Sequence, residues 1–123
     1  MKIGYTCKIS AAHQLGNKDC DKSWNKETFG KCCNVHGHTW EVRIEVVGSV
    51  DKDSGMIVNF TKLKAIVNEL DHRMINEFVA LPTAENLVSF FITKLQGLQL
   101  FSNIKVRIYE SDHAWAEDEW GTS

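Results

Sequence analysis

The chain is short of punctuation. One proline and eight glycines stand among 123 residues, and no Pro/Gly-rich stretch, repeat or low-complexity segment divides them. That excludes a linker between two domains, and the length suits one hydrophobic core, so residues 1–123 are expected to form a single domain. Long apolar runs are also missing. The stretch LVSFFI is far below the roughly 20 residues that cross a bilayer, and MKIGYTCKIS alternates like a strand instead of carrying a signal peptide's apolar segment. No basic run interleaved with aromatics occurs, and a net charge of −2 gives no electrostatic pull toward nucleic acid or membrane. A cytoplasmic domain with neither partner is expected. In that setting Cys7, Cys20, Cys32 and Cys33 read as reduced thiols. The vicinal pair Cys32–Cys33 is poorly placed to bridge to itself, and its closeness to histidines directs attention to metal binding or reactivity.

What the chain does contain is alternation. Ile3, Tyr5, Cys7, Ile9 and Ala11 share one face of a predicted strand, and Trp40, Val42, Ile44 and Val46 share one face of another. Thr39, Glu41, Arg43 and Glu45 take the opposite, polar face. SVDKDSG reads as a turn and MIVNF as a short strand returning from it. The period then changes. Phe60, Leu63, Ile66, Val67 and Leu70 line one side of a helix. A second helix starts after Pro82 with Thr83 as a candidate N-cap, keeps Leu87, Val88, Phe91, Ile92 and Leu95 in phase, and ends at Gly97. Ile104, Val106 and Ile108 mark a last strand. Residues 16–31 are polar and aperiodic, as in a surface loop. The pattern fits an α+β fold with both helices on one face of an antiparallel sheet, whose other face is polar enough for an oligomer to cover.

Three strands end their apolar stripe in a functional group. His13 continues the parity of Ile9 and Ala11, and His36 and His38 continue that of Trp40 and Val42. Residues i and i+2 of a strand project from one face, so His36 and His38 can converge on one ion, with Gly37 between them permitting close approach of a neighbouring element. His13 would complete three nitrogen ligands with an open fourth position, the arrangement of a catalytic zinc. Against this, a single histidine on an apolar face is ordinarily a hydrogen-bonded core residue. Glu110 continues the stripe of the last strand. It either emerges into solvent or lines a pocket, where it would suit two adjacent N–H donors on a planar heterocycle. Asp71–His72 follows the first helix. A carboxylate can orient an imidazole, but neighbours on a helix point about 100° apart, so contact between them does not follow.

The landmarks SAAHQL, Cys32 separated from HGH by three intervening residues, GMIVNF, LDHRMIN, PTAENL and YES occur in order over residues 10–111. In this combination the chain resembles the 6-pyruvoyl-tetrahydropterin synthase superfamily. The Cys32 spacing is similar to that of the 6-carboxy-tetrahydropterin synthases. The 6-pyruvoyl enzymes would place the cysteine near Phe29–Gly30, and a third subgroup would place a Glu where Lys31 stands.

The resemblance implies a tunnelling fold: a four-stranded antiparallel sheet with two helices on one face, subunits joining into a β-barrel as a homohexamer, a dimer of trimers, with active sites at subunit interfaces. It implies zinc (Zn2+) on His13, His36 and His38, Cys32 as general base, and an Asp71–His72 relay. It further implies Glu110 and Thr83 as substrate-binding residues for the pterin. The implied reaction converts 7,8-dihydroneopterin triphosphate to 6-carboxy-5,6,7,8-tetrahydropterin with release of acetaldehyde and triphosphate, in queuosine-type (7-deazaguanine) biosynthesis. Alternatives are a 6-pyruvoyl-type or other pterin side-chain lyase and, from a different class, a non-catalytic zinc-stabilised assembly module closed by a cysteine ligand.

The chain departs from the family pattern in four places. Cys33 doubles the cysteine, and Asn59 replaces a common Asp. Asp118 stands where an aromatic is usual, and the tail is acidic and Trp-rich.

Overall fold

A computed structural model describes residues 1–16 and 23–122. Four strands, β1 (Lys2–His13), β2 (His36–Gly48), β3 (Phe101–Tyr109) and β4 (Trp115–Gly121), form one antiparallel sheet in the order β1-β2-β3-β4. Helices α2 (Phe60–Asn68) and α3 (Ala84–Gln96) connect β2 to β3 and contribute to one core with the sheet's inner face. A shorter helix, α1 (Ser23–Phe29), and a 3-10 turn (Gly30–Cys33) precede β2. Much of the segment expected to be a loop is therefore helical, and residues 17–22 of it lie outside the described part.

Parity decides the layering. Ile9 and Ala11 of β1, Trp40, Val42, Ile44 and Val46 of β2, and Ile104, Val106 and Ile108 of β3 are all buried. They meet Leu63 and Val67 of α2 and Leu87, Val88, Phe91 and Leu95 of α3. Each such large side chain contributes about 1.5–3 kcal/mol by leaving water. Both helices are capped as their sequences suggest. Asn59 Oδ1 accepts from the Thr61 amide at 2.9 Å, and Thr83 Oγ1 accepts from the Asn86 amide at 3.2 Å. Asn59 in place of Asp thus leaves the cap intact.

Two elements differ from expectation. MIVNF is not a strand. Met56 and Asp51 close a turn (Asp51 N–H to Met56 O, 2.9 Å), and the chain then runs straight into the Asn59 cap, leaving no length to pair with a neighbour. The fourth strand comes instead from the acidic tail. β4 adds the partly buried Ala116 to the core and is further tied to β3 by side chains, with Glu117 bonded to Arg107 at 2.8 Å and Glu119 to Asn103 at 2.9 Å. The guanidinium of Arg107 also lies 3.8 Å over the Trp115 ring. The sheet's outer face continues this charge pattern through Glu45, which lies 3.8 Å from Lys2 and 3.9 Å from Lys105. No helix of the described residues is long and apolar enough to cross a membrane.

Candidate metal centre and its surroundings

Register brings the histidines together. His13 pairs directly with His36 across β1 and β2, and Ala11 pairs with His38. Side chains of one parity in paired strands stand side by side, so the three rings converge, with one ring nitrogen of each lying within 4.8 Å of the others. Trp40 forms the floor. Its ring lies edge-on 5.0 Å from His13 and 5.2 Å from His38, and its indole N–H donates to the Ala11 carbonyl at 3.2 Å.

Backbone carbonyls fix the tautomers. A carbonyl can only accept, so His13 Nδ1–H donates to Pro82 O and His36 Nδ1–H donates to Asn34 O, each at 2.7 Å. Both rings then turn an unprotonated Nε2 inward, and these two atoms are 2.9 Å apart. Two lone pairs at that distance repel unless a cation lies between them. On His13 a proton is disfavoured, because burial lowers the pKa of that ring. His38 Nε2 is itself buried without a hydrogen-bond partner, a condition native interiors rarely tolerate. The donor set therefore fits a metal ion held by three imidazoles, each carbonyl-bonded ring being oriented as ligating histidines are.

Glu110, just past β3, does not point to bulk solvent. Its Oε1 stands 3.5 Å from the Nε2 of both His13 and His38. The backbone holds it there, with Glu110 N–H bonded to Ala114 O at 2.9 Å.

Asp71 and His72 do touch. His72 leaves the helical path with φ 60°, which costs a non-glycine residue about 1–3 kcal/mol. Three bonds over-determine it. Asp71 Oδ1 accepts from the Ser10 amide at 2.9 Å, His72 N–H donates to Ser10 O at 2.6 Å, and Arg73 O accepts from the Ala12 amide at 3.1 Å. The turn places His72 Nδ1 2.9 Å from Asp71 Oδ2. The Ser10 N–H bond first, and His72 second, hold the Asp71 carboxyl below its usual range. His72 and His38 line one open groove of about 600 Å³ along the edge of β1. Gly37 lines it too, yet a Cβ there would meet nothing nearer than the Ala11 carbonyl at 3.9 Å. The expected close approach is absent among the described residues.

The two adjacent cysteines separate. Cys33 is fully buried and disulfide-bonded, correcting the expectation that it is a reduced thiol, while Cys32 is a half-buried free thiol. Successive residues of a 3-10 turn point about 120° apart, so one faces the interior and the other does not. The turn is docked on the end of β1 by Leu15 N–H to Cys32 O at 3.1 Å and Gln14 Nε2–H to Cys33 O at 2.8 Å. Asn76 completes a reciprocal clamp on the Gln14 backbone, with both bonds at 2.9 Å. Gln14 and Asn76, like the carbonyls of Asn34 and Pro82, position the site but have no periodicity to reveal them. No hydrogen bond or ion pair joins Cys32 to His72 within the chain.

Comparison with known proteins finds relatives along nearly the whole chain. The family described as 6-pyruvoyl tetrahydropterin synthase matches residues 2–119. A protein of Archaeoglobus fulgidus, provisionally named 6-carboxy-5,6,7,8-tetrahydropterin synthase, is 37% identical over 95% of this chain and 94% of its own. The human 6-pyruvoyl tetrahydrobiopterin synthase is 34% identical over 91% of this chain and 86% of its own. The solved 6-pyruvoyl tetrahydropterin synthase of Caenorhabditis elegans superposes with a TM-score of 0.76 at 29% identity, covering 100% of this chain and 96% of that one.

Proposed function

This chain belongs to the 6-pyruvoyl tetrahydropterin synthase family, and from that premise we propose that it converts 7,8-dihydroneopterin triphosphate to 6-carboxy-5,6,7,8-tetrahydropterin, releasing acetaldehyde and triphosphate, in queuosine-type biosynthesis. The observation that carries the reading is a free thiol at Cys32, separated by three residues from His36 of a histidine cluster in which His13 and His36 turn unprotonated nitrogens inward. Because Cys33 is engaged in a disulfide, only Cys32 of the pair offers a thiolate.

His13, His36 and His38 would hold zinc, which when bound supplies Lewis acidity toward the substrate's side-chain oxygens. Cys32 accepts a proton from the side-chain carbon as thiolate. His72 exchanges protons at its Nε2 while Asp71 holds its Nδ1. The Glu110 carboxylate takes the heterocycle's 2-amino and ring N–H groups. Thr83 spends its oxygen on the α3 cap, so its hydroxyl proton is left to donate to the pterin. The lack of a bond between Cys32 and the Asp71–His72 pair within one chain supports sites completed by a neighbouring subunit. A homohexamer whose sheets join through the edges of β1 and β4 would supply them.

The test incubates zinc-loaded protein with 7,8-dihydroneopterin triphosphate and identifies products by mass spectrometry. The carboxypterin should dominate. A dominant 6-pyruvoyl-tetrahydropterin would move the activity to that of the human relative, and no turnover would favour a zinc-stabilised assembly module.

A further inference from the structure

The geometry points to Glu110 as a fourth, exchangeable ligand of the metal centre, closing the site until substrate draws the carboxylate away. The inference rests on the reading that the histidine cluster holds a metal. Four donors around zinc at about 2.0–2.1 Å stand roughly 3.3 Å from one another in a tetrahedron. Glu110 Oε1 lies 3.5 Å from two of the three imidazole nitrogens at once, close to the edge length of such a tetrahedron and beyond that of a good hydrogen bond.

His13 offers the carboxylate no donor for its own sake. His13 turns a lone pair toward it, because its proton is committed to Pro82 O, and His38 Nε2 makes no hydrogen bond. An anion beside a lone pair is repelled, whereas an anion completing a cation's shell is not. The carboxylate is also free to leave. Its side chain is 31% exposed, and its backbone is tied independently to Ala114 O, so the turn survives the swing. The role proposed above for Glu110, accepting two N–H groups from a heterocycle, cannot be filled while an oxygen is on the metal. The two roles are therefore sequential, and the arriving heterocycle opens the coordination position its own side chain needs.

The test uses Co2+ as a coloured reporter on the metal-free full-length protein. Wild type should bind one ion per chain with the intense visible bands of four-coordinate cobalt. E110Q should bind at least about tenfold more weakly with shifted bands, while its metal-free thermal midpoint stays that of wild type. Adding 7,8-dihydroneopterin triphosphate should move the wild-type bands and leave those of E110Q nearly in place. Unchanged bands in E110Q overturn the inference even if affinity drops, since the carboxylate would then act at a distance. Wild-type bands indifferent to the pterin overturn the exchange. Absence of any Co2+ binding would sink the metal reading itself, whereas the product assay tests the reaction separately.

Discussion

Two histidine settings lie along the same edge of the sheet and are built in opposite ways. His13 is fully buried and hydrogen-bonded to a carbonyl, and burial lowers its pKa and that of His38. His72 is 81% exposed at its side chain and paired with a carboxylate. The first setting strips protons from nitrogens and aims them at one point, which suits a cation that is not a proton. The second keeps an imidazole in water beside a negative charge, which suits a proton that comes and goes. Burial and partner, not residue type, separate the two settings.

The variant with the largest expected effect breaks the first setting. His36→Ala should leave the protein essentially metal-free after dialysis, measured by atomic emission, and unchanged metal content would refute the ligand assignment. Next, Cys32→Ala should lower turnover by about 10²–10⁴-fold, the usual worth of a positioned base, with metal retained. Cys33→Ala should spare turnover within a few-fold but lower the thermal midpoint, losing a disulfide worth about 2–4 kcal/mol.

Asp71→Asn sharpens the second setting. It keeps an oxygen for the Ser10 amide and places an N–H donor against His72 Nδ1, so kcat should fall while KM and metal content hold. Because the folded pKa of Asp71 is depressed, its stabilising contribution is present above the unfolded value of about 3.9. That contribution is lost as pH falls through the folded one, so the stability gap between wild type and Asp71→Ala should close in acid.

The metal-free protein should lose stability as pH drops below about 6.5, the unfolded histidine value. The unfolded chain then takes up protons that His13 and His38 refuse. Smallest is Thr83→Ala, which should cost about 1 kcal/mol in urea unfolding as a lost cap.

The histidine cluster was legible because strand parity is local: His13, His36 and His38 extend apolar stripes that need no tertiary knowledge, whereas parity alone left Glu110 open between solvent and pocket. Helices α2 and α3 were legible for the same reason, through their period and caps, whereas α1, in a polar aperiodic segment, was not. β4 was not, since Glu117 and Glu119 gain their place from Arg107, Lys105 and Asn103 across the sheet. The apolar run MIVNF misled because a short run carries no signature separating a strand from an irregular approach to a helix, here with Ile57 buried and Met56 and Phe60 exposed. The Asp71–His72 contact needed a left-handed residue that no glycine announced, and it exists because Ser10, distant in sequence, holds both ends of that turn.

The Trp40 floor has an optical consequence. Trp40 is fully buried, whereas Trp24, Trp115 and Trp120 are exposed. Its emission should therefore form the blue component of the protein's fluorescence, beyond the reach of an aqueous quencher such as iodide. Its ring touches two of the three metal-facing imidazoles, so a paramagnetic ion bound there should darken that component first. The protein thus contains its own lamp beneath the site, and filling of the centre can be followed by eye of a fluorimeter without any label.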